Sequence, residues 1–336
     1  MARAFASLGL VASLALVGLG ACDSSTHRPD APSSAWSVTT MPRKALEPGV
    51  AALGQQVVVL GGFDTGARDG LDITARTDVF DVAEGTWSQL PDAPVRWTHI
   101  NLAVVGTTLY LVGGLEGSQF VARGESFALD PIARSWGTRA AMPPGDERGA
   151  AGVVTAAGRI YLLGGASTTD ALATCLEYDI VADTWSALPD LPAPRSHPAA
   201  MRMTDGTLIV AGGLETLDSS RPRGEVWALS PPGAANRVWQ ARTPVPSDLR
   251  GGCAYGVVLG ELVCAGGESG IDARNVVQSY DPYLDQWTPR EAMPADRAGT
   301  QGASVGARLF IPGGAQRLVF EPTDTLYIYT PLDTAP

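Results

Sequence analysis

The chain has 336 residues and a formal net charge of −11, with 24 basic and 35 acidic residues. Gly (39) and Pro (25) together stay below the share that is typical of disordered or low-complexity chains. The hydrophobic content of 45% is enough to bury a sizeable core, and the acidic balance argues against a nucleic-acid partner. The length predicts one large domain or two to three smaller ones.

The first 21 residues have the pattern of a secretory signal peptide. A positive start at Arg3 precedes an apolar run over 8–19, which is too short to span a membrane. Leu19-Gly20-Ala21-Cys22 resembles the lipobox of bacterial lipoproteins, in which the Cys is lipidated; a plain signal peptide with a chance Cys is the alternative. We therefore expect an exported protein that is lipid-anchored in the bacterial cell envelope, at the periplasmic side of the inner membrane or at the outer membrane.

The segment after Cys22 is rich in Ser, Pro and Asp and has no apolar periodicity. It predicts a flexible tether over 22–35, followed by a folded domain over 36–336.

Two interleaved series with a period near 50 residues dominate that domain, and internal repeats of this length indicate repeat architectures. An apolar strand that ends in Gly-Gly occurs six times, with the first Gly at 61, 113, 164, 212, 266 and 313. A Trp series runs in parallel, at 36, 87, 136, 185, 239 and 287. An aromatic or apolar residue followed by Asp precedes several of these Trp, as in Tyr178-Asp179.

Each unit predicts four strands: a short first strand, a second that ends in Gly-Gly, a third that carries the aromatic-Asp pair, and a fourth that starts at Trp. No segment after residue 22 shows convincing helical periodicity. The prediction is an all-β, six-bladed β-propeller with four antiparallel strands in each blade.

These residues resemble the kelch-repeat family, which belongs with the galactose-oxidase-like propellers. The family pattern includes an Arg near the unit start, the Gly-Gly hairpin, the aromatic-Asp pair and the later Trp, and the resemblance covers about residues 36–330. The fourth unit departs from it, because 227–230 lack the Asp and an insertion over 231–236 precedes Trp239. We expect a longer turn there, with the blade retained.

The two ends of the chain predict how the ring closes. The C-terminal unit has a third strand but no following Trp, whereas Trp36 has no preceding unit. We expect the N-terminal segment to form the outermost strand of the last blade, which removes an open sheet edge.

In a four-stranded blade, the loops from strand two to strand three share a face with the entry to the next blade. The longer charged loops over 63–76, 115–123, 214–223 and 268–275 therefore lie on one face, which is the expected binding surface. The unit-start arginines lie there too: Arg43, Arg96, Arg148, Arg195, Arg250 and Arg297. They predict either an anion-binding ring or structural bonds to strand ends, as the kelch resemblance implies.

The candidate binding residues are Arg96, Arg148, Arg195, Arg250, Arg297, His197, Glu215, Asp218, Arg221 and Arg223. The last four form the densest charged group in the variable loops, and a solvated loop is the alternative interpretation. His99 and His197 both follow unit-start arginines. Two His in the domain argue against a metal site, and no catalytic set or phosphate loop is evident. We expect no catalytic residue, metal or cofactor.

The cysteines leave an odd number after Cys22. Cys253 and Cys264 flank one hairpin, and counting from the turn at Leu259 pairs Cys264 with Tyr255. The two Cys are then diagonal neighbours, so a disulfide is not favoured on geometry and buried free thiols are an equal alternative.

The leading hypothesis is a monomeric, envelope-tethered kelch propeller that binds a protein or glycan on its loop face without chemistry of its own. The alternative is a metal-independent enzyme that resembles the sialic-acid mutarotases, which use acid–base groups and an Arg for the carboxylate.

Overall fold

A computed structural model of the protein describes residues 34–67, 70–235, 237–318 and 320–332. The predicted signal peptide, Cys22 and residues 22–33 of the predicted tether lie outside these ranges. Within them every regular element is a β-strand, and the strands form six four-stranded antiparallel blades, as predicted. No helix in this part of the chain has the length and apolar character needed to cross a membrane.

Each blade is a meander whose first strand lies innermost. The strands of blade I are Gly49–Leu53, Gln56–Leu60, Thr77–Asp81 and Thr86–Leu90. Those of blade II are Leu102–Val105, Thr108–Glu116, Val121–Asp130 and Ser135–Arg139, with Trp97–Thr98 as an added short strand. Those of blade III are Gly152–Ala156, Arg159–Leu163, Cys175–Asp179 and Thr184–Leu188.

The other three blades repeat this order. The strands of blade IV are Ala199–Arg202, Leu208–Ala211, Val226–Leu229 and Trp239–Arg242. Those of blade V are Ala254–Val258, Glu261–Ala265, Val277–Asp281 and Gln286–Arg290. Those of blade VI are Ala303–Val305, Arg308–Pro312, Thr323–Tyr329 and the N-terminal Trp36–Ala45. Two small hairpins, Phe63–Ala67 with Gly70–Ile73 and Glu268–Ser269 with Asp272–Ala273, extend loops of the predicted binding face.

The aromatic-Asp pairs form the turn between strands three and four. The Asp179 carboxylate accepts hydrogen bonds from the backbone N–H of Val181 and Ala182, and Asp81, Asp130 and Asp281 repeat this arrangement. These bonds hold the pKa of Asp179 below its ordinary value. The Asp therefore satisfies backbone donors at the turn, as Asx turns do.

The Trp series links the outer strands of neighbouring blades. Each indole N–H donates to a backbone carbonyl of the preceding blade: Trp87 to Thr40, Trp136 to Pro91, Trp185 to Ala140, Trp239 to Pro189, Trp287 to Thr243, and Trp36 to Glu291. The donors lie 2.9–3.1 Å from their acceptors. Trp36 completes the outer circle because it belongs to blade VI, whose other three strands are C-terminal.

The closing strand is in the predicted place. Trp36 pairs with Tyr329 and Val38 with Tyr327, and Met41 is buried. The insertion over 231–236 also has the expected effect, since Trp239–Arg242 still pairs with Val226–Leu229.

A protein that begins at Arg43 should be less stable than one that begins at Ser34. It loses about five ladder and closing hydrogen bonds of about 1 kcal/mol each, together with the burial of Met41. We expect the melting temperature, measured by circular dichroism, to fall by about 10 °C or more. Equal melting temperatures for the two proteins would show that the N-terminal strand does not close the ring.

Candidate functional site

The axis of the propeller is encircled by six residues, one at the entry to each blade, which we call the inner ring: Glu47, His99, Ala150, His197, Gly252 and Gly299. All six have positive φ, between 49° and 67°. Five backbone hydrogen bonds of 2.7–3.1 Å link them, each from the N–H of one ring residue to the carbonyl of the preceding one, including Glu47 to Gly299. Non-glycine residues rarely adopt this conformation, so the ring holds them there through bonds to both neighbours.

All six inner-ring residues line a small cavity of about 40 Å³ on the axis. Two side chains that line this cavity cross between blades. The Tyr255 hydroxyl of blade V accepts from the Val153 N–H of blade III at 2.9 Å, and the Gln301 amide donates to the Ile100 carbonyl at 2.9 Å. Both side chains also line the small cavity, so they lie beside the axis next to the ring.

A wider cavity of about 220 Å³ opens above the ring on the loop face. We call it the cup. Its walls are mainly apolar, formed by Leu115, Phe120, Leu217 and Phe320, and its bottom is polar, formed by Glu47, His99, His197 and Glu268. A pocket with apolar walls and a few convergent polar groups is the usual form of a ligand site.

The polar bottom of the cup is a compact group of titratable side chains. His99 Nε2 lies 3.3 Å from Glu47 Oε2, and the His99 and His197 ring centroids are 5.2 Å apart. Burial raises the pKa of Glu47 to about 7, and burial together with the charge of Glu47 raises that of Glu268 to about 7. Burial lowers the pKa of His99 to about 4, and burial and His99 lower that of His197 to about 3. Both imidazoles are therefore neutral at pH 7.

Two glycines of the inner ring leave room for these side chains. A Cβ on Gly299 would lie 2.9 Å from Glu47 Oε1 and 2.4 Å from Leu46 Cδ1. A Cβ on Gly252 would lie 3.9 Å from both Glu268 and His197, so these two side chains flank that glycine.

The unit-start arginines do not form the anion-binding ring considered from the sequence. Arg148, Arg195, Arg250 and Arg297 are at most 5% exposed and lie inside the blades. Arg148 donates to the carbonyls of Gly164 and Thr174, and Arg250 to those of Gly266 and Cys264. Arg195 bonds Glu225 and stacks on Trp227, and Arg297 bonds Thr323 and stacks on Tyr327. These contacts agree with the alternative interpretation, in which the arginines make structural bonds to strand ends.

Arg96 occupies a different position from the other arginines. In blade II the residue two positions before the inner-ring residue is Trp97, which is buried. The same position in blades III to VI is taken by Arg148, Arg195, Arg250 and Arg297. The Trp97 carbonyl accepts from Gly62 N–H just as the Arg195 carbonyl accepts from Gly165 N–H. The Arg96 side chain is 68% exposed and lies 3.9 Å from Asp72.

The charged group in the fourth long loop is only partly connected to the cup. Glu215 forms an ion pair with Arg223, and its N–H bonds the Arg221 carbonyl. Asp218 bonds Ser220 and lines a cavity of about 290 Å³ that adjoins the cup and shares Glu47, Leu217, Glu268 and Phe320 with it. Of the predicted binding residues, only His197 lines the cup itself.

The two cysteines of blade V form a disulfide, contrary to the geometric expectation. Cys264 does lie opposite Tyr255, as counted, and Cys253 precedes the strand by one residue. The Cα atoms are nonetheless 5.5 Å apart, within the range that a disulfide bridges, because Cys253 lies just outside the regular ladder. Cys175 is a buried free thiol, and burial raises its pKa to about 11.

Comparisons with known proteins agree with the repeat pattern. A family profile described as the Kelch motif matches residues 46–94, 147–192 and 249–294. The chain is 29% identical over 283 residues to Kelch-like protein terF of Aspergillus terreus, covering 80% of this chain and 60% of that protein. It is 25% identical over 255 residues to Kelch-like protein 38 of Mus musculus, covering 74% of this chain and 41% of that protein.

The chain carries Kelch motifs on a six-bladed β-propeller. The solved structure of YjhT has the same fold: it superposes with a TM-score of 0.74 at 16% identity, over 88% of this chain and 97% of that one. The kelch propeller described here spans between two fifths and three fifths of the length of these two curated relatives.

Sequence reasoning missed Glu47 and Glu268 as members of the kelch propeller's site. A signal was present for the inner ring, because Ala150, His197, Gly252 and Gly299 each follow a unit-start Arg by two residues. The offset is three residues from Arg96 to His99 and four from Arg43 to Glu47, so a fixed spacing fails in the first two units. Glu268 follows a Gly-Gly pair, and nothing in its spacing distinguishes it from the other loop acids.

Replacing Arg148 by Lys should destabilise the kelch propeller, because Lys cannot bond the Gly164 and Thr174 carbonyls together through one planar group. We expect a loss of about 3 kcal/mol, since several buried hydrogen bonds from a charged donor are removed. Chemical denaturation measures the change, and Arg96→Lys serves as the exposed control, with little effect expected. Similar losses in the two variants would contradict the structural role.

Proposed function

We propose that the protein is a binding module of the bacterial cell envelope, whose cup receives a protruding segment of a partner protein. The observation that carries the proposal is the cup itself, a pocket on the loop face with apolar walls and a polar bottom. Anchor side chains that bind tightly in protein interfaces enter such desolvated pockets near the centre of the contact.

The chemistry of the walls supports a protein segment in preference to a glycan. Leu115, Phe120, Leu217 and Phe320 offer apolar area, and Ser167 adds one hydroxyl. A sugar ring presents many hydroxyls, which need more polar partners than these walls provide. The carboxyl groups of Glu47 and Glu268, whose pKa values are raised to about 7, also repel acidic glycans in their ionised form.

A mutarotase acting on a sialic acid is less well supported. It would need an Arg to hold the substrate carboxylate, and no Arg is among the described residues that line the cup. Arg317 lines the adjoining cavity and is exposed. Five of the six unit-start arginines, including Arg43, are buried and engaged within the blades.

Leu217 and Phe320 provide a direct test, because both are partly exposed and both line the cup. A random peptide display library should yield peptides that bind the native protein, and Leu217→Ser with Phe320→Ser should weaken their binding by about 30-fold, as loss of an interface anchor does. The matched control is Ile132→Ser with Val181→Ser, at exposed turns of the opposite face. Surface plasmon resonance measures the affinities.

Three outcomes would contradict the protein-binding proposal. One is that the control pair weakens binding as much as the cup pair. Another is that a glycan array, and not the peptide library, yields ligands whose binding depends on Leu217 and Phe320. The third is that the protein accelerates anomer exchange of N-acetylneuraminate, followed by NMR, which would restore the mutarotase hypothesis.

The envelope location rests on the sequence around Cys22, which resembles a lipobox. Lipidation would hold the propeller at a membrane surface through the tether over 22–35. A single chain gives only marginal attachment, so stable anchoring needs the multiple acyl chains of a lipoprotein.

Cys22→Ser should abolish lipidation and release the protein from the membrane fraction. In a bacterial host, we expect radiolabelled palmitate to enter the native protein and Ser24→Ala, but not Cys22→Ser. Mass spectrometry of the native protein should find a modified N-terminus at Cys22. An unmodified N-terminus at another residue would contradict the lipoprotein proposal and leave the binding site in the cup unaffected.

A further inference from the structure

Three inner-ring residues bring potential metal ligands together on the axis. The ligand atoms of Glu47, His99 and His197 all lie within 4.8 Å of one another. His99 Nε2 and Glu47 Oε2 are 3.3 Å apart. Two atoms that bind one tetrahedral cation at about 2.0–2.2 Å stand about 3.3–3.5 Å apart, so this pair already has the spacing of a shared ion.

Hydroxyl groups lie next to Nδ1 of both histidines. Thr98 Oγ1 lies 2.9 Å from His99 Nδ1 and 3.4 Å from the Leu115 carbonyl, so a hydroxyl that donates to this carbonyl can accept the Nδ1 hydrogen. Ser196 Oγ donates to the Thr216 carbonyl and lies 3.2 Å from His197 Nδ1 in the same way. With its hydrogen on Nδ1, each neutral imidazole leaves the Nε2 lone pair free for a metal ion.

This arrangement is the one that protein metal sites use. A ligating His usually donates its other ring N–H to a neighbouring acceptor, which fixes the ring orientation. Two units of the repeat supply that acceptor from the same position, directly before the inner-ring residue. An imidazole lone pair and a carboxylate oxygen at 3.3 Å also repel each other unless a proton or a metal ion lies between them.

The surroundings leave room for an ion and for one further ligand. A Cβ on Gly299 would lie 2.9 Å from Glu47 Oε1, and Gly252 places no side chain between Glu268 and His197. Glu268 lies next to His197 across Gly252 and also lines the cup. The three donors lie at the bottom of the cup, so a coordination position faces its interior.

We propose that Glu47, His99 and His197 bind a divalent transition-metal cation of the zinc class, with one coordination position open to the cup. Two imidazole nitrogens and one carboxylate favour such a cation over Mg²⁺ or Ca²⁺, which prefer oxygen ligands. Three protein ligands with an open position are typical of zinc sites that bind a further group. This differs from the sequence expectation of no metal, which counted His residues and not the carboxylate.

The first measurement is titration of ZnCl₂ into the EDTA-treated mature chain carrying Cys22→Ser, followed by isothermal calorimetry. We expect one equivalent to bind. Co²⁺ in place of Zn²⁺ should give the visible absorption bands of a low-coordinate site, which requires no variant. Absence of saturable binding for both ions would overturn the proposal.

The second measurement compares ligand and control variants under the same conditions. His99→Gln, His197→Gln and Glu47→Gln should each abolish stoichiometric binding, whereas His27→Gln and Glu84→Gln should bind as the native protein does. Thr98→Val and Ser196→Ala should weaken binding by about 10- to 100-fold, as loss of a partner to a metal-bound His does. Circular dichroism in EDTA shows whether each variant is folded.

Binding that survives His99→Gln and Glu47→Gln in folded protein would overturn the site even if Zn²⁺ binds elsewhere. If the ligand variants fail to fold, the Thr98→Val and Ser196→Ala affinities decide the matter, and native affinity in both would contradict it. Metal binding requires no partner, so its failure would leave the proposed protein binding in the cup intact.

Discussion

The inner ring of backbone hydrogen bonds is the constraint on which the rest of the structure depends. Each blade enters the axis through a residue at positive φ, and five backbone hydrogen bonds link these six residues around the axis. Such a conformation is unfavourable for Glu, His and Ala when isolated, and here the bonds to adjacent blades hold it. Ring closure, blade packing and the position of the site residues therefore depend on one another, because opening the ring would disrupt all three.

The outer circle of Trp hydrogen bonds complements the inner ring. The indole bonds from fourth strands to preceding blades fix the spacing of the blades at the rim. In every blade except blade II, a buried arginine at the entry bonds the second or third strand of that blade or the residues next to them, as Arg148 does in blade III. The residues that define the repeat therefore stabilise the framework of blades. Gly164 shows the same rule, since a Cβ there would lie 2.4 Å from the Arg195 carbonyl at a φ of 63°.

This division explains how much could be predicted from the sequence. The fold was predictable because Gly-Gly, aromatic-Asp and Trp recur at a fixed period, and each copy makes the same contact. Trp36 even indicated how the ring closes. The site was not predictable to the same degree, because its residues differ between units and the offsets from Arg43 and Arg96 differ from the rest. The disulfide was missed for a related reason: Cys253 lies one residue outside the ladder from which its distance was judged.

The side chains of the inner ring can differ without a change in the backbone that holds them. Its hydrogen bonds use only backbone atoms, so the same geometry accepts Glu, His, Ala or Gly at equivalent positions. A change at a ring position alters what faces the axis while the framework contacts of Trp, Arg and Asp persist. For this reason the fold alone does not define the ligand of a propeller. In this chain, Glu47, His99 and His197 face one another because Ala150, Gly252 and Gly299 occupy the other three positions, and the chemistry of the cup follows from that order.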